Sequence, residues 1–96
     1  MSNAYLTQPV RRTFDVSWQE EYLIGMLNAS GPINGNRVLR ESSEIMSLAT
    51  AHKYLQLAIA KKLISKKRSK EDYREAFFST TAKGEKFLQE LRHVHR

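Results

Sequence analysis

The stretch from Leu63 to Thr80, LISKKRSKEDYREAFFST, constrains the fold more than any other part of the chain. Leu63 and Ile64 open a strand that continues through the basic residues to Arg68. The polar SKED sequence turns it, and Arg74 to Thr80 returns. Two short strands with a polar tip make a β-hairpin. Side chains alternate along a strand, so Phe77 and Phe78 take opposite faces, one for the core and one over the hairpin's outer surface.

The residues before the hairpin are helical in pattern. Ser47 reads as an N-cap for LATAHKYLQLAIAKKL, a segment rich in Ala, Leu, Lys and Gln with no Gly or Pro. At about 100° per residue, Leu48, Ala51, Tyr54, Leu55, Ala58 and Ile59 fall on one side as a core face. Ala49, His52, Lys53, Gln56 and Ala60 fall opposite, combining small residues with hydrogen-bonding ones. No acid occurs between Met46 and Lys70, whereas a merely solvated helix commonly mixes Glu with Lys. Further upstream, Ser17-Trp18-Gln19-Glu20 has the form of a capping box. It starts a helix with a stripe of Trp18, Tyr22, Leu23, Met26 and Leu27 that ends near Asn28, ahead of Ser30-Gly31-Pro32. Ile33, isolated between turn signals, suffices for a single β-bridge. A short helix follows from Gly35 to Ser42, with Val38 and Leu39 as its core contacts. Beyond the hairpin, Thr81 caps a last helix from about Ala82 whose stripe is Phe87, Leu88, Leu91 and Val94. Residues 1 to 16 show no helical period, and Pro9 with the Arg11-Arg12 pair predicts an extended arm. The expected organisation is an N-terminal arm, 1–16, and one domain, 17–96. It is mainly α with a small β-hairpin, an α+β winged helix-turn-helix.

Resemblance to a known family rests on residues 50 to 84. Thr50-Ala51-His52-Lys53 stands at a helix start, Asp72-Tyr73-Arg74 matches a D-x-R in the wing, and Ser79-Thr80-Thr81-Ala82-Lys83-Gly84 matches a closing L-T-x-x-G. In this arrangement the chain resembles the multiple-antibiotic-resistance regulator (MarR) family of DNA-binding proteins. Two positions depart from the pattern: Lys62 stands at the elbow where Gly is usual, and Thr80 where Leu is usual.

Charge bears on the same function. The chain carries +6 overall, and the same net +6 is found between Leu48 and Arg74, where eight bases face only Glu71 and Asp72. A localised excess of this kind attracts polyanions, of which nucleic acid is the commonest inside cells. The resemblance implies that the helix 48–62 lies in the major groove of double-stranded DNA with Thr50, His52, Lys53 and Gln56 facing it. Gln56 can pair with adenine N6 and N7, Lys53 can reach guanine O6/N7 or a phosphate, and neutral His52 can donate or accept. The wing, 63–80, would place Lys66, Lys67, Arg68 and Lys70 on phosphate or in the minor groove, with Arg74 held in place by Asp72. Ser47 and Thr50 lie where helix amides favour a phosphate, although a pure cap explains Ser47 equally well. Arg11 and Arg12 either seek a groove or are solvated, the second being preferred. Arg37 and Arg40 could contact backbone phosphates.

Other classes find little in the sequence. The absence of cysteine excludes disulfide scaffolds and zinc-thiolate sites. Gly31 and Gly35 form no phosphate loop, His93 and His95 lack the i, i+4 spacing of a metal pair, and no catalytic triad is recognisable. The expectation is a binding protein, not an enzyme, with no cofactor and no metal. No stretch approaches the ~20 apolar residues of a membrane span, and the N-terminus lacks a secretory signal, which predicts a cytoplasmic location. A homodimer, if formed, should be weak or DNA-assisted, because the last helix carries only enough apolar groups for one docking face. The alternative function is a winged-helix protein-interaction module in a larger assembly, for which Leu57 and the outer hairpin Phe are the candidate contacts.

Overall fold

The computed structural model describes residues 9–71 and 75–94, the last without its side chain. Eight elements follow in order: α1 (Pro9–Phe14), α2 (Trp18–Ser30), β1 (Ile33–Asn34), α3 (Gly35–Ser42), α4 (Leu48–Ala60), β2 (Ile64–Arg68), β3 (Ala76–Thr80) and α5 (Ala82–Val94). The strands form one antiparallel sheet in the order β1-β3-β2, with Ile33 opposite Phe78 and Lys66 opposite the same phenylalanine on its other side. The expected single bridge at Ile33 is therefore a two-residue strand, and the hairpin is part of a three-stranded sheet.

Helix ends follow from local chemistry. The Ser17 hydroxyl accepts from the Glu20 amide while the Glu20 carboxylate accepts from the Ser17 amide, which is the capping box expected from the sequence. Asn34 Oδ1 accepts from the Arg37 amide to start α3. Ser47 Oγ accepts from Thr50 N to start α4, and Thr81 Oγ1 accepts from Gly84 N to start α5. The end of α4 accounts for the elbow. Leu63 N donates to Ala58 O and Lys62 N to Ile59 O, the paired bonds of a Schellman motif. Lys62 is the residue such a motif holds in the left-handed region, and its φ is 67°. A glycine would adopt that φ freely, whereas a lysine there costs on the order of 1 kcal/mol.

One core joins all the elements. Leu23, Ile24 and Leu27 of α2 meet Leu55 and Ala58 of α4, Leu63 and Ile64 of the hairpin, and Phe87 of α5. Phe78 points into this core and Phe77 is half-buried, as alternation along the strand requires. Four expectations differ from the structure. Residues 9–14 are not extended: they form α1, with Val10 buried and Phe14 set edge-on to Phe87 at 5.4 Å between ring centroids. Pro9 is the first residue of that helix, a position where its fixed φ helps and its missing N–H costs nothing. Trp18 is 45% exposed, whereas Ile24, which the stripe omitted, is fully buried on the other flank of the apolar face. Leu48 is 66% exposed although the wheel assigns it to the core, and Leu39 is only half-buried.

Trp18 and Leu48 share one cause. Each is the first residue of its helix, and Cα–Cβ bonds tilt toward the helix N-terminus. A side chain at that position therefore projects beyond the helix start, past the edge of what the helix covers.

Gly84 shows why a small residue is needed where α5 leaves the sheet. A Cβ there would overlap the Leu63 carbonyl oxygen, which already accepts from Thr81 N, and would lie 2.7 Å from Thr80 Cγ2. Gly84→Ala is expected to cost about 2 kcal/mol through overpacking against backbone, lowering Tm by roughly 8–16 °C. A thermal melt within 2 °C of wild type (roughly 0.4 kcal/mol) would mean that α5 moves aside at little cost.

Candidate nucleic-acid interface

The face of α4 that points away from the core is the one expected from the wheel. Ala49, His52, Lys53, Gln56 and Ala60 are all exposed, while Ala51, Leu55 and Ala58 are buried. Thr50 belongs to neither set. It is half-buried, and its hydroxyl accepts from Ser47 Oγ at 2.9 Å, so both side chains are engaged at the cap. The Lys53 ammonium stands 5.4 Å from the Tyr54 ring centroid, close enough for a cation–π contact that leaves it at the surface.

Register decides which wing residues share a surface with the helix. Lys66 and Arg68 lie on the Phe78 face of the sheet, and Lys67 pairs with Phe77 on the other. Lys66 Nζ sits 6.0 Å from the Phe78 ring centroid. His52 and Gln56 of α4, Lys66 and Arg68 of β2, and Asn34 and Asn36 at the start of α3 together line an open cleft of about 540 Å³ with Phe78 among its walls. Glu75 is the only acid among the described residues lining it. Lys70 is exposed at the tip, while Arg74 and the D-x-R sequence around it lie outside the described residues.

Five other bases divide between exposed positions and partners within the fold. Arg11 is not solvated: its guanidinium grips the Glu21 carboxylate with bonds of 2.7 and 3.2 Å, whereas Arg12 is exposed. Arg37 forms an i, i+4 ion pair with Glu41 at 2.5 Å, and Arg40 is exposed. Lys61 contributes to the charge excess in the sequence but is turned inward. Its ammonium lies 3.0 Å from Oε1 and 2.9 Å from Oε2 of Glu20, a carboxylate only 1% exposed, and it also donates to the Asp15 carbonyl. Asn34 and Asn36 join the cleft without a charge or binding motif to mark them in the sequence. The capping preference of Asn34 at the start of α3 was the available signal for that turn.

Among the described residues no cluster of three or more His, Asp or Glu could hold a metal, and no helix is long and apolar enough to cross a membrane.

No protein-family model and no curated protein sequence matches the chain. Solved structures do match it. MepR of S. aureus in complex with DNA is similar over 96% of this chain and 74% of its own, with a TM-score of 0.79 at 18% identity. MarR is similar over 88% of this chain and 61% of its own, with a TM-score of 0.75 at 12% identity. Overoxidized AbfR bound to DNA is similar over 94% and 65%, with a TM-score of 0.74 at 16% identity. The chain thus has the winged-helix fold of MarR-family transcription regulators, some of them solved on DNA, and spans less than two thirds of MarR and AbfR.

Proposed function

We propose that the protein is a sequence-specific double-stranded DNA-binding module, a small transcriptional regulator without catalytic activity that works in the cytoplasm. In this reading α4 and its C-terminal turn, residues 48–62, lie in the major groove, and the wing, residues 63–80, tracks phosphate or enters the minor groove. One observation carries it: the outward side chains His52 and Gln56 of α4 open onto the same cleft as Lys66 and Arg68 of the wing. A single duplex surface can therefore meet base-reading and phosphate-binding groups together. Gln56 and Lys53 would meet base edges, with His52 beside them. Lys66, Lys67, Arg68 and Lys70 would meet the backbone, and Arg74 is assigned to the same set from its sequence position. Ser47 and Thr50 hold each other at the cap through both hydroxyls and the Thr50 amide, so a phosphate there would meet the Leu48 and Ala49 amides. Residues 17–96 would carry the DNA-binding surfaces, with α1 of the preceding segment packed on α5 as part of the same core.

An electrophoretic shift on random-sequence duplex with single-stranded competitor tests this class. Retention on duplex is expected, and displacement by the single strand at equal mass would remove the reading. A second reading, a winged-helix module that docks on a protein, has in its favour the exposed side chains of Trp18, Ile45, Leu48 and Leu57.

Self-association in the proposed reading is weak or assisted by DNA. Phe87 and Leu91 of α5 are spent in the chain's own core and Leu88 is half-buried, which leaves little apolar surface among the described side chains of that helix for a second copy. Sedimentation at micromolar protein is expected to show monomer, with dimer on duplexes carrying two half-sites ~34 Å apart on one face. A stable dimer without DNA would refute this.

A further inference from the structure

Leu48 is the most exposed of the large apolar side chains among the described residues, at 66%, and it stands at the first position of the helix proposed to read DNA. It is placed there by the fold. The Ser47 cap fixes where α4 begins, and the tilt of the Cα–Cβ bond carries the Leu48 side chain past that beginning. Leu48, His52 and Gln56 are spaced i, i+4, i+8, so they form one ridge along α4, all three exposed. The two polar members of the ridge line the cleft shared with Lys66, and no acid lies on α4.

An isolated exposed leucine is ordinary on a protein surface. This one heads a row whose other members form hydrogen bonds, beside a cationic wing suited to a polyanion. In the major groove of B-DNA the base-pair edges present hydrogen-bonding groups and one protruding apolar group, the C5-methyl of thymine. Helix-turn-helix proteins bring the N-terminal residues of the recognition helix to those edges. We propose that Leu48 is a specificity-determining residue that packs on a thymine methyl at the edge of the site, next to the bases read by His52 and Gln56. The assignment rests on the DNA-binding reading above and adds the base class preferred at one position.

Replacing thymine by deoxyuridine removes that methyl and leaves the hydrogen-bonding edge intact, so it isolates the contact. The test takes the full chain, selects a preferred duplex from a random pool, and measures affinity for the same duplex with each thymine changed singly to deoxyuridine. At one position a loss of three- to fivefold is expected, the factor that burying one methyl-sized group supplies. Leu48→Ala should bind the unmodified site more weakly by a similar factor and be insensitive to deoxyuridine at that position, while Leu48→Met keeps the sensitivity. Because Leu48 lies outside the core, unchanged thermal melts are expected for both variants. A selected site without thymine, neutral deoxyuridine at every position, or a penalty that persists in Leu48→Ala would overturn the assignment while leaving duplex binding in place. Failure of the wild-type chain to bind any duplex would instead overturn the DNA-binding reading, and this assignment with it.

Discussion

Lys61→Ala is expected to destabilise the fold by about 3 kcal/mol, a Tm loss of roughly 12–24 °C, although a lysine just past the end of a helix would ordinarily be expendable. The reason is the carboxylate it serves. Glu20 is 1% exposed; its Oε1 accepts from the amide and hydroxyl of Ser17 and from Lys61, while Oε2 has only the Lys61 ammonium, at 2.9 Å, to offset its burial. Removing the ammonium leaves a buried charge half-compensated, which costs about 3–5 kcal/mol in comparable pairs. The lower end applies because the Lys61 side chain keeps 26% of its surface, so water can approach from its side. Adding Glu20→Gln should restore part of the loss, since a neutral amide can still accept from Ser17 without stranding a charge. Urea denaturation of the two variants checks both steps. If Lys61→Ala costs less than about 0.5 kcal/mol, the pair behaves as a solvent-exposed one and the account fails.

The same pair marks what was and was not legible in the sequence. Glu20 could be read locally, because a capping box spans four consecutive residues and its geometry repeats in every helix start. Lys61 could not. It lies 41 residues away and reaches Glu20 only because the end of α4 lies against the start of α2, so one lysine counted in the charge excess is committed to the fold. The outward face of α4 was legible because a 100° period and the absence of acids are local facts; the exposed ends Trp18 and Leu48 were not, because a wheel has no end. For α1, the proline at its first position was a usable sign. Its other support, Val10 in the core and Phe14 on Phe87, comes from α5 docking some seventy residues later. The wing was legible as a hairpin from its composition, whereas the cleft it shares with His52 and Gln56 is closed by Asn34 and Asn36 at the turn from β1 into α3, which pairing of β1 with β3 sets beside it.

Raising salt tenfold should weaken duplex binding by four to five orders of magnitude, the largest effect anticipated for this protein. Each phosphate neutralised contributes about −0.9 to the slope of log K against log salt. Lys53, Lys66, Lys67, Arg68 and Lys70 are exposed and basic on the helix and wing, whereas Lys61 is committed to Glu20, which gives a slope of roughly −4 to −5 per protomer. Substitutions should divide this binding into two kinds. Lys67→Ala on the outer strand face and Lys70→Ala at the tip should weaken all duplexes nearly equally and reduce the slope by about one unit each. Gln56→Ala and Lys53→Ala should each cost about 1–3 kcal/mol on the preferred site and blunt discrimination among sequences. The Gln56 change should do so without altering the slope, because an amide displaces no counterion. Lys53 separates its two candidate roles by the same measure: a slope unchanged on substitution assigns it to a guanine edge alone, and a loss of one unit assigns it to phosphate. Equal losses of affinity and slope for all four variants would mean that the helix reads no sequence and that the charged surface binds polyanions without selection.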